Sequence, residues 1–420
     1  MNYTNFIKYA VDNSSILYLS LVRRDHTNVY RFTMTLTEEI EPDILQRALD
    51  RIHHRFPTIF AGFVPEFFRY VQITAKETPK VQPDPGPLLT MTKQELRTCA
   101  CRIYYKGNTV TLEAFHAVTD GYGAITAFTT LVAQYLQFRY DIPIPVSAPI
   151  VAPDSAPSPD ELEDSYLRHG TGKAIHLPSR YSYQLPGGNA SREHITLTTI
   201  QVPSPVCLIA ARNHGTSVTG LISTLLAKSI MEIQTKENNR SNKPVRIMVP
   251  LDLRRMFPSK TLRNFILYVL PTMEVQDHRR PLSDLIHNFS RQIQEQIDPD
   301  RLRSIMAYNV KTQNAWYFKC LPIRMKCAVM RLAYRYFGES NSSITLTNLG
   351  NVTLPPEMSA HVTGFDVYLT PRVRSPYNAT IISYNGTLSI SFSRFPMISD
   401  LETIFREKLT AVINNKEVET

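Results

Sequence analysis

In the stretch TVTLEAFHAVTDGYG, residues 109–123, a strand-like run ends in a histidine, and four residues later an aspartate is followed by Gly-Tyr-Gly. The segments Arg97 to Tyr105 and Asn108 to Phe115 read as a hairpin turning at Lys106-Gly107. From Gly121 to Arg139 the pattern changes to helical, with Ile125, Phe128, Val132, Tyr135 and Leu136 on one face. His116 thus stands at the mouth of a strand-to-helix loop whose glycines let a ligand approach the backbone. Imidazole is the side chain that accepts a proton near neutrality, so this position suits a general base. Asp120 is placed to orient it or to pin the loop. The plainer alternative is a capping or core histidine beside a turn aspartate.

Outward from this stretch, Asn28 to Leu36 alternates as a strand, and Ile44, Leu45, Ala48, Leu49, Ile52 and Phe56 recur at helical spacing behind Pro42. Phe67 to Thr74 reads as a further strand. The segment 141–165 is proline-rich and unpatterned, which predicts an extended, semi-rigid linker between a lobe of residues 1–165 and one of residues 166–420. In the second lobe, 194–202 and the apolar Pro244 to Leu251 read as strands, and Val218 to Glu232 as a helix. Helical patterns cover Leu282 to Ile297, Asp300 to Lys311 and Ile323 to Phe337. Four strands and a helix from about Asp400 to Asn414 close the chain. Helices and hairpin strands mix in both halves, so the fold class is α/β in the mixed, α+β sense.

The 420 residues are 43% hydrophobic and 20% charged, near the globular average, which excludes disordered, collagen-like and coiled-coil classes. Forty-six Lys and Arg against 37 Asp and Glu leave a net charge of +9, which favours an anionic partner of some kind. The helix around Lys319 to Arg335 sets basic residues among aromatics and aliphatics. It reads as a core-packed helix with a solvated basic face, with an anionic membrane surface or the donor substrate as alternatives. Cys99, Cys101, Cys207, Cys320 and Cys327 are read as small buried apolar residues, the first two sharing one face of a strand. No run of 18 apolar residues and no signal-peptide pattern are present, so a cytoplasmic protein is expected. No metal-ligand spacing, glycine-rich phosphate loop or nucleic-acid module stands out.

The block His116-Ala-Val-Thr-Asp120-Gly121 behind a strand resembles the HxxxDG signature of the coenzyme-A-dependent acyltransferase superfamily. That group includes chloramphenicol acetyltransferase, alcohol acetyltransferases and the condensation domains of nonribosomal peptide synthetases. The resemblance extends along the chain. Ile52-His53-His54-Arg55-Phe56-Pro57 is similar to the end of an early family helix, and Pro87-Leu88 to a Pro-Leu before the hairpin. Val249-Pro-Leu-Asp-Leu-Arg254-Arg255 resembles a "VPVDLR" strand, Asn264-Phe265 the end of "GNF", and Thr347-Asn348-Leu349-Gly350 a "TNLG" strand end. Two departures stand out. Phe115 replaces the first of the family's paired histidines, and Arg263 the glycine of "GNF". No "DFGWG" motif of the plant branch is found, so the alcohol acetyltransferase and condensation-like branch is the nearest.

The resemblance implies two chloramphenicol-acetyltransferase-like lobes with a tunnel between them and His116 as catalytic base. It implies that Asp120 is structural and paired with Arg254, that Gly121 keeps the loop narrow, and that Tyr122 lines the acceptor side. Thr347 and Asn348 become candidates for the oxyanion donor. Arg372 and Arg374 are loose candidates for the phosphates of coenzyme A. The implied reaction moves an acyl group, acetyl or another short chain, from acyl-CoA as co-substrate to a small alcohol or amine. No bound cofactor, no metal and a monomer are expected. Two alternatives stay open: a condensation-like enzyme taking its acyl group from an acyl carrier protein, and a catalytically silent binding protein.

Overall fold

The computed structural model describes residues 7–22, 27–88, 90–186, 195–236, 241–338, 340–372, 375–395 and 400–414. Among these the strands form three sheets. The first-lobe sheet runs Val362–Leu369, Val29–Leu36, Thr109–Phe115, Cys101–Lys106 and Gln82–Pro83. The second-lobe sheet runs Ile266–Val269, Val245–Asp252, Ile344–Val352, Tyr377–Tyr384, Thr387–Arg394 and Thr196–Pro203. A small third sheet joins Lys8–Ala10, Tyr70–Thr74 and Ala61–Pro65. The fold is mixed α/β, with parallel pairing confined in the second-lobe sheet to the two neighbours of Ile344–Val352 among the described residues.

The two lobes are tied by an exchanged strand. Val362–Leu369 lies late in the chain, yet it pairs antiparallel with Val29–Leu36, Phe365 opposite Met34 and Leu369 opposite Tyr30. Behind it, Tyr377–Tyr384 serves two cores through the period-2 alternation of a strand. Tyr377, Ala379 and Ile381 join the second-lobe core, while Ile382 and Tyr384 join the first. The proline-rich segment adds a second tie. It is largely irregular and buries Ile150, and near its end the Glu161 carbonyl accepts from Leu262 N at 2.9 Å while Arg55 pairs with the Glu161 carboxylate at 2.6 Å.

Several local readings are corrected. Arg97 and Thr98 belong to the short helix Lys93–Thr98, started by a capping box between Thr92 and Glu95, so Cys99 is a helix cap and does not share a strand with Cys101. Phe67 and Phe68 sit exposed in the turn before Tyr70–Thr74. Cys320 is exposed, unlike the buried Cys101, Cys207 and Cys327. The helices Asn13–Leu21 and Ser204–Asn213 have no counterpart in the sequence reading. The basic helix Ile323–Phe337, by contrast, packs one face on the core and leaves Arg324, Arg331 and Arg335 exposed, as the sequence implies.

Candidate active site

A cavity of about 190 Å³ opens between the lobes. Its place follows from the second-lobe sheet. Val245–Asp252 and Ile344–Val352 pair only at Ile247 and Met248 with Ile344 and Thr345; beyond that point they splay apart. The diverging ends supply Pro250, Leu251, Thr347, Asn348 and Leu349 to one wall. Tyr30, Phe32, His116, Gly121 and Tyr122 from the first lobe supply the other.

His116 follows directly on Thr109–Phe115, with its backbone N–H donating to the Asn28 carbonyl at 2.8 Å. The ring stacks on Tyr18 at 4.3 Å between centroids and meets Tyr30 edge-on at 5.3 Å. A hydrogen-bond chain then sets the tautomer. Ser15 Oγ lies 2.6 Å from the Ala117 carbonyl, a pure acceptor, so the Ser15 proton goes there. Ser15 Oγ is left to accept from Asn264 Nδ2 at 3.3 Å, which turns Asn264 Oδ1 towards His116 Nδ1 at 3.1 Å. Oδ1 can only accept, so Nδ1 carries the hydrogen and Nε2 keeps the lone pair. Burial holds the imidazole below its ordinary pKa, with its own backbone hydrogen bond, Asp120 and Asn264 offsetting this only in part. His116 is therefore neutral and proton-accepting at neutral pH.

Asp120 is buried behind the loop and spends both oxygens on structure. Oδ1 caps the helix Gly121–Tyr140 by accepting from Tyr122 N at 3.1 Å and Gly123 N at 3.2 Å. Oδ2 accepts from Arg254 at 2.8 Å and from Phe265 N at 2.8 Å. Arg254 is itself buried, bonded to Asp252 and to the carbonyls of Thr261 and Arg263, and lies over the Tyr122 ring at 4.7 Å. The pair crosses between lobes. Two glycines permit the close approach. A Cβ on Gly121 would sit 2.6 Å from Leu349 Cδ2, and one on Gly123 would sit 2.3 Å from the Leu262 carbonyl oxygen. That same carbonyl accepts from Thr119 Oγ1 at 2.5 Å.

Thr347 and Asn348 both line the cavity, but they differ. Asn348 donates to Thr219 Oγ1 at 2.8 Å and accepts from Gly350 N at 2.8 Å, which makes it a brace for the strand end. Thr347 forms no such side-chain bond among the described residues. Arg372 is outside the lining and bonds Tyr334 and Thr345. Arg374 lies outside the described residues. Arg263, the departure from the glycine of "GNF", is a buried staple: it reaches the Ala10 carbonyl at 2.6 Å, Gln72 Oε1 at 3.1 Å and Asp12 at 3.5 Å.

The sequence reading missed Ser15, Tyr18, Tyr30 and the role of Asn264. For the first two a signal existed. Asp12-Asn13-Ser14-Ser15 is a helix-start pattern, and Asp12 does accept from Ser15 N at 2.8 Å.

No family model matches the sequence, and no curated protein matches it. Solved structures do match over nearly the whole length. Polyketide synthase associated protein 5 from Mycobacterium tuberculosis superposes with a TM-score of 0.62 at 15% identity, covering 96% of this chain and 97% of its own. The TRI3 trichothecene 15-O-acetyltransferase from Fusarium sporotrichioides gives 0.61 at 9% identity, covering 100% and 96%. The first condensation domain of the CDA synthetase gives 0.59 at 13% identity, covering 99% and 98%. Over nearly its whole length the chain thus has the two-lobed, mixed α/β fold of these condensation-domain and acetyltransferase structures.

Proposed function

We propose that this chain is an acyltransferase that moves an acetyl or other short acyl group from acyl-CoA to an alcohol, with His116 as general base. The observation that carries the reading is the fixed tautomer of His116, which leaves a bare Nε2 on a ring that lines the inter-lobe cavity. The acceptor O–H gives its proton to Nε2 while the oxygen attacks the thioester carbonyl carbon. The Thr347 hydroxyl donates to the oxyanion that forms. Collapse breaks the C–S bond, and the departing thiolate takes the proton from Nε2. Thioesters are already activated, so orientation of the two substrates plus a base worth ~10²–10⁴-fold suffices without a covalent enzyme intermediate. The largely apolar walls, with Tyr30, Phe32, Ile125, Leu251 and Leu349, suit an acceptor with a hydrophobic body.

The test incubates purified protein with a panel of acyl-CoAs and alcohols or amines, following thiol release and product mass. Turnover should fall by at least ~10² in His116→Ala, and rates measured against both substrates should give intersecting reciprocal plots. Near-normal turnover of the alanine variant, or an acylated Ser or Cys trapped by mass spectrometry, overturns the mechanism. Transfer from an acylated carrier protein but from no acyl-CoA replaces the donor.

A further inference from the structure

The segment 301–338 contains eight Lys and Arg and no Asp or Glu, which concentrates most of the chain's positive surplus in one place. Its last part is the basic helix Ile323–Phe337. One face of that helix is packed. Ile323 and Cys327 are buried, and Ser20 of the helix Asn13–Leu21 meets Cys327 and Met330 at 3.6 and 3.5 Å. On the opposite face Met325, Val329, Leu332 and Tyr336 recur at intervals of four, three and four, which aligns them on one stripe. All four are more than half exposed. Arg324, Arg331 and Arg335 line one flank of this stripe at intervals of seven and four, and none forms an ion pair among the described residues.

Neighbouring segments extend the apolar surface. Trp316, the one tryptophan of the chain, is 77% exposed, and Tyr317, Phe67 and Phe68 are exposed as well. These aromatics are held beside the helix. Ile323 N donates to the Phe67 carbonyl at 2.8 Å, and Lys326 Nζ donates to the carbonyls of Phe68 at 2.7 Å and Lys319 at 3.2 Å. A folded protein rarely leaves so many large apolar side chains together in water. Unpaired arginines alongside an aliphatic stripe, with Trp, Tyr and Phe at its end, are the chemistry of a helix lying in a lipid headgroup layer. An apolar protein partner would not require the unneutralised cations, and a neutral lipid surface would not engage them.

We infer that this face, formed by the helix Ile323–Phe337 with the Phe67–Phe68 turn and Trp316–Tyr317, docks the protein peripherally on an anionic phospholipid membrane. Among the described residues no helix is long and apolar enough to cross a bilayer, so the contact is one of resting on the surface. The inner face of the docking helix packs on Asn13–Leu21, whose Tyr18 stacks on His116. At about 10 Å per helix layer, docking brings the reaction cavity close to the headgroups. The inference stands on surface chemistry alone and does not depend on the transfer reaction.

Trp316 provides the probe for the test. The full chain is mixed with vesicles of phosphatidylcholine alone, or of phosphatidylcholine and phosphatidylglycerol in equal parts, at physiological salt. Tryptophan emission and co-sedimentation are recorded. With the anionic vesicles the emission should shift to the blue and the protein should sediment; with the neutral ones neither should occur. The triple variant Arg324→Gln, Arg331→Gln, Arg335→Gln should lose partitioning by about a hundredfold, at roughly fivefold per cation. The double variant Met325→Asp, Leu332→Asp should lose the blue shift while keeping its far-UV spectrum and melting temperature, because both side chains already face water. Several results would overturn the inference: no binding to either vesicle, equal binding to both, or binding unchanged in the variants. A dimer that hides Trp316 without lipid, or an acidic carrier protein that shifts its emission when vesicles do not, would assign the face to a protein partner instead.

Discussion

Asn264 Oδ1 lies 3.1 Å from Nδ1 of His116, so the second lobe decides which nitrogen of the first lobe's histidine carries the hydrogen. Asn264→Ala removes that acceptor and loosens the hold on the tautomer, leaving the ring its own backbone hydrogen bond. If His116 is the base of an acyl transfer, as proposed, turnover should fall by about tenfold, a fraction of the ~10²–10⁴ that a whole general base supplies, with little change in substrate KM. Nitrogen NMR of the labelled ring should find the hydrogen on Nδ1 in the wild type and a mixture of tautomers in the variant. An unchanged ring spectrum would show that Asn264 does not position the base.

Asp120 and Arg254 form a buried pair at 2.8 Å, and each keeps further bonds that assume the other's charge. Asp120→Asn leaves the guanidinium without its main counter-charge. A loss of about 3 kcal/mol is expected, the lower end for breaking a buried pair from one side. Denaturant melts measure it directly. Activity should decline with the folded fraction, and a variant that is as stable as wild type but inactive would move Asp120 into the chemistry.

Thr347 and Asn348 are separated by a double comparison. Thr347→Val keeps the shape of the cavity wall and removes its hydroxyl, so kcat should drop by about 10²-fold if that group is an oxyanion donor. Asn348→Ala breaks the bonds to Thr219 and Gly350, so its main effect should be on stability, by about 1–2 kcal/mol. Kinetics and melting of the two variants side by side distinguish these roles.

His53 gives a pH signature away from the cavity. It is fully buried, neither ring nitrogen has a partner among the described residues, and burial with help from His54 lowers its pKa from 6.5 to about 4. The unfolded chain binds this proton near pH 6.5 and the folded chain only near pH 4. The contribution of His53 is therefore full above pH 6.5 and falls as the pH drops towards 4, by about 3 kcal/mol at roughly 1.4 kcal/mol per unit. Urea melts across that window, for wild type and His53→Leu, should differ in slope. Parallel curves would mean that His53 is protonated without penalty.

Much of the site was legible because it is local. Thr109 to Gly123 alternates, turns and caps within fifteen residues, and the structure places His116 just past the strand, Asp120 in the loop as helix cap and Gly121 at the helix start, as this pattern implies. Arg254 could be paired with Asp120 only through the resemblance. The helix Asn13–Leu21 escaped because it is apolar with no stripe: NSSILYLSL is covered on several sides, so periodicity gives no signal, and Tyr18 and Ser15 were lost with it. Asn264 lay in a matched motif, but its role depends on an approach between residues 148 positions apart that no spacing reveals. The helix Ile323–Phe337 was legible as core-packed with a solvated basic face, but periodicity alone does not show that a second apolar stripe, Met325 to Tyr336, stays in water.

The exchange of Val362–Leu369 into the first sheet bears on how the chain is made. Until those residues are available, Val29–Leu36 is an edge strand with one row of backbone groups unpaired, although everything else in its sheet precedes residue 116. A chain emerging from the ribosome therefore holds an unfinished sheet for most of its synthesis, and the last contacts to close are among those farthest apart in sequence, which slows folding. Separating the protein at its proline-rich segment would leave one fragment lacking a strand and the other carrying that strand unpaired. The two lobes are not interchangeable modules, because each is completed by the other.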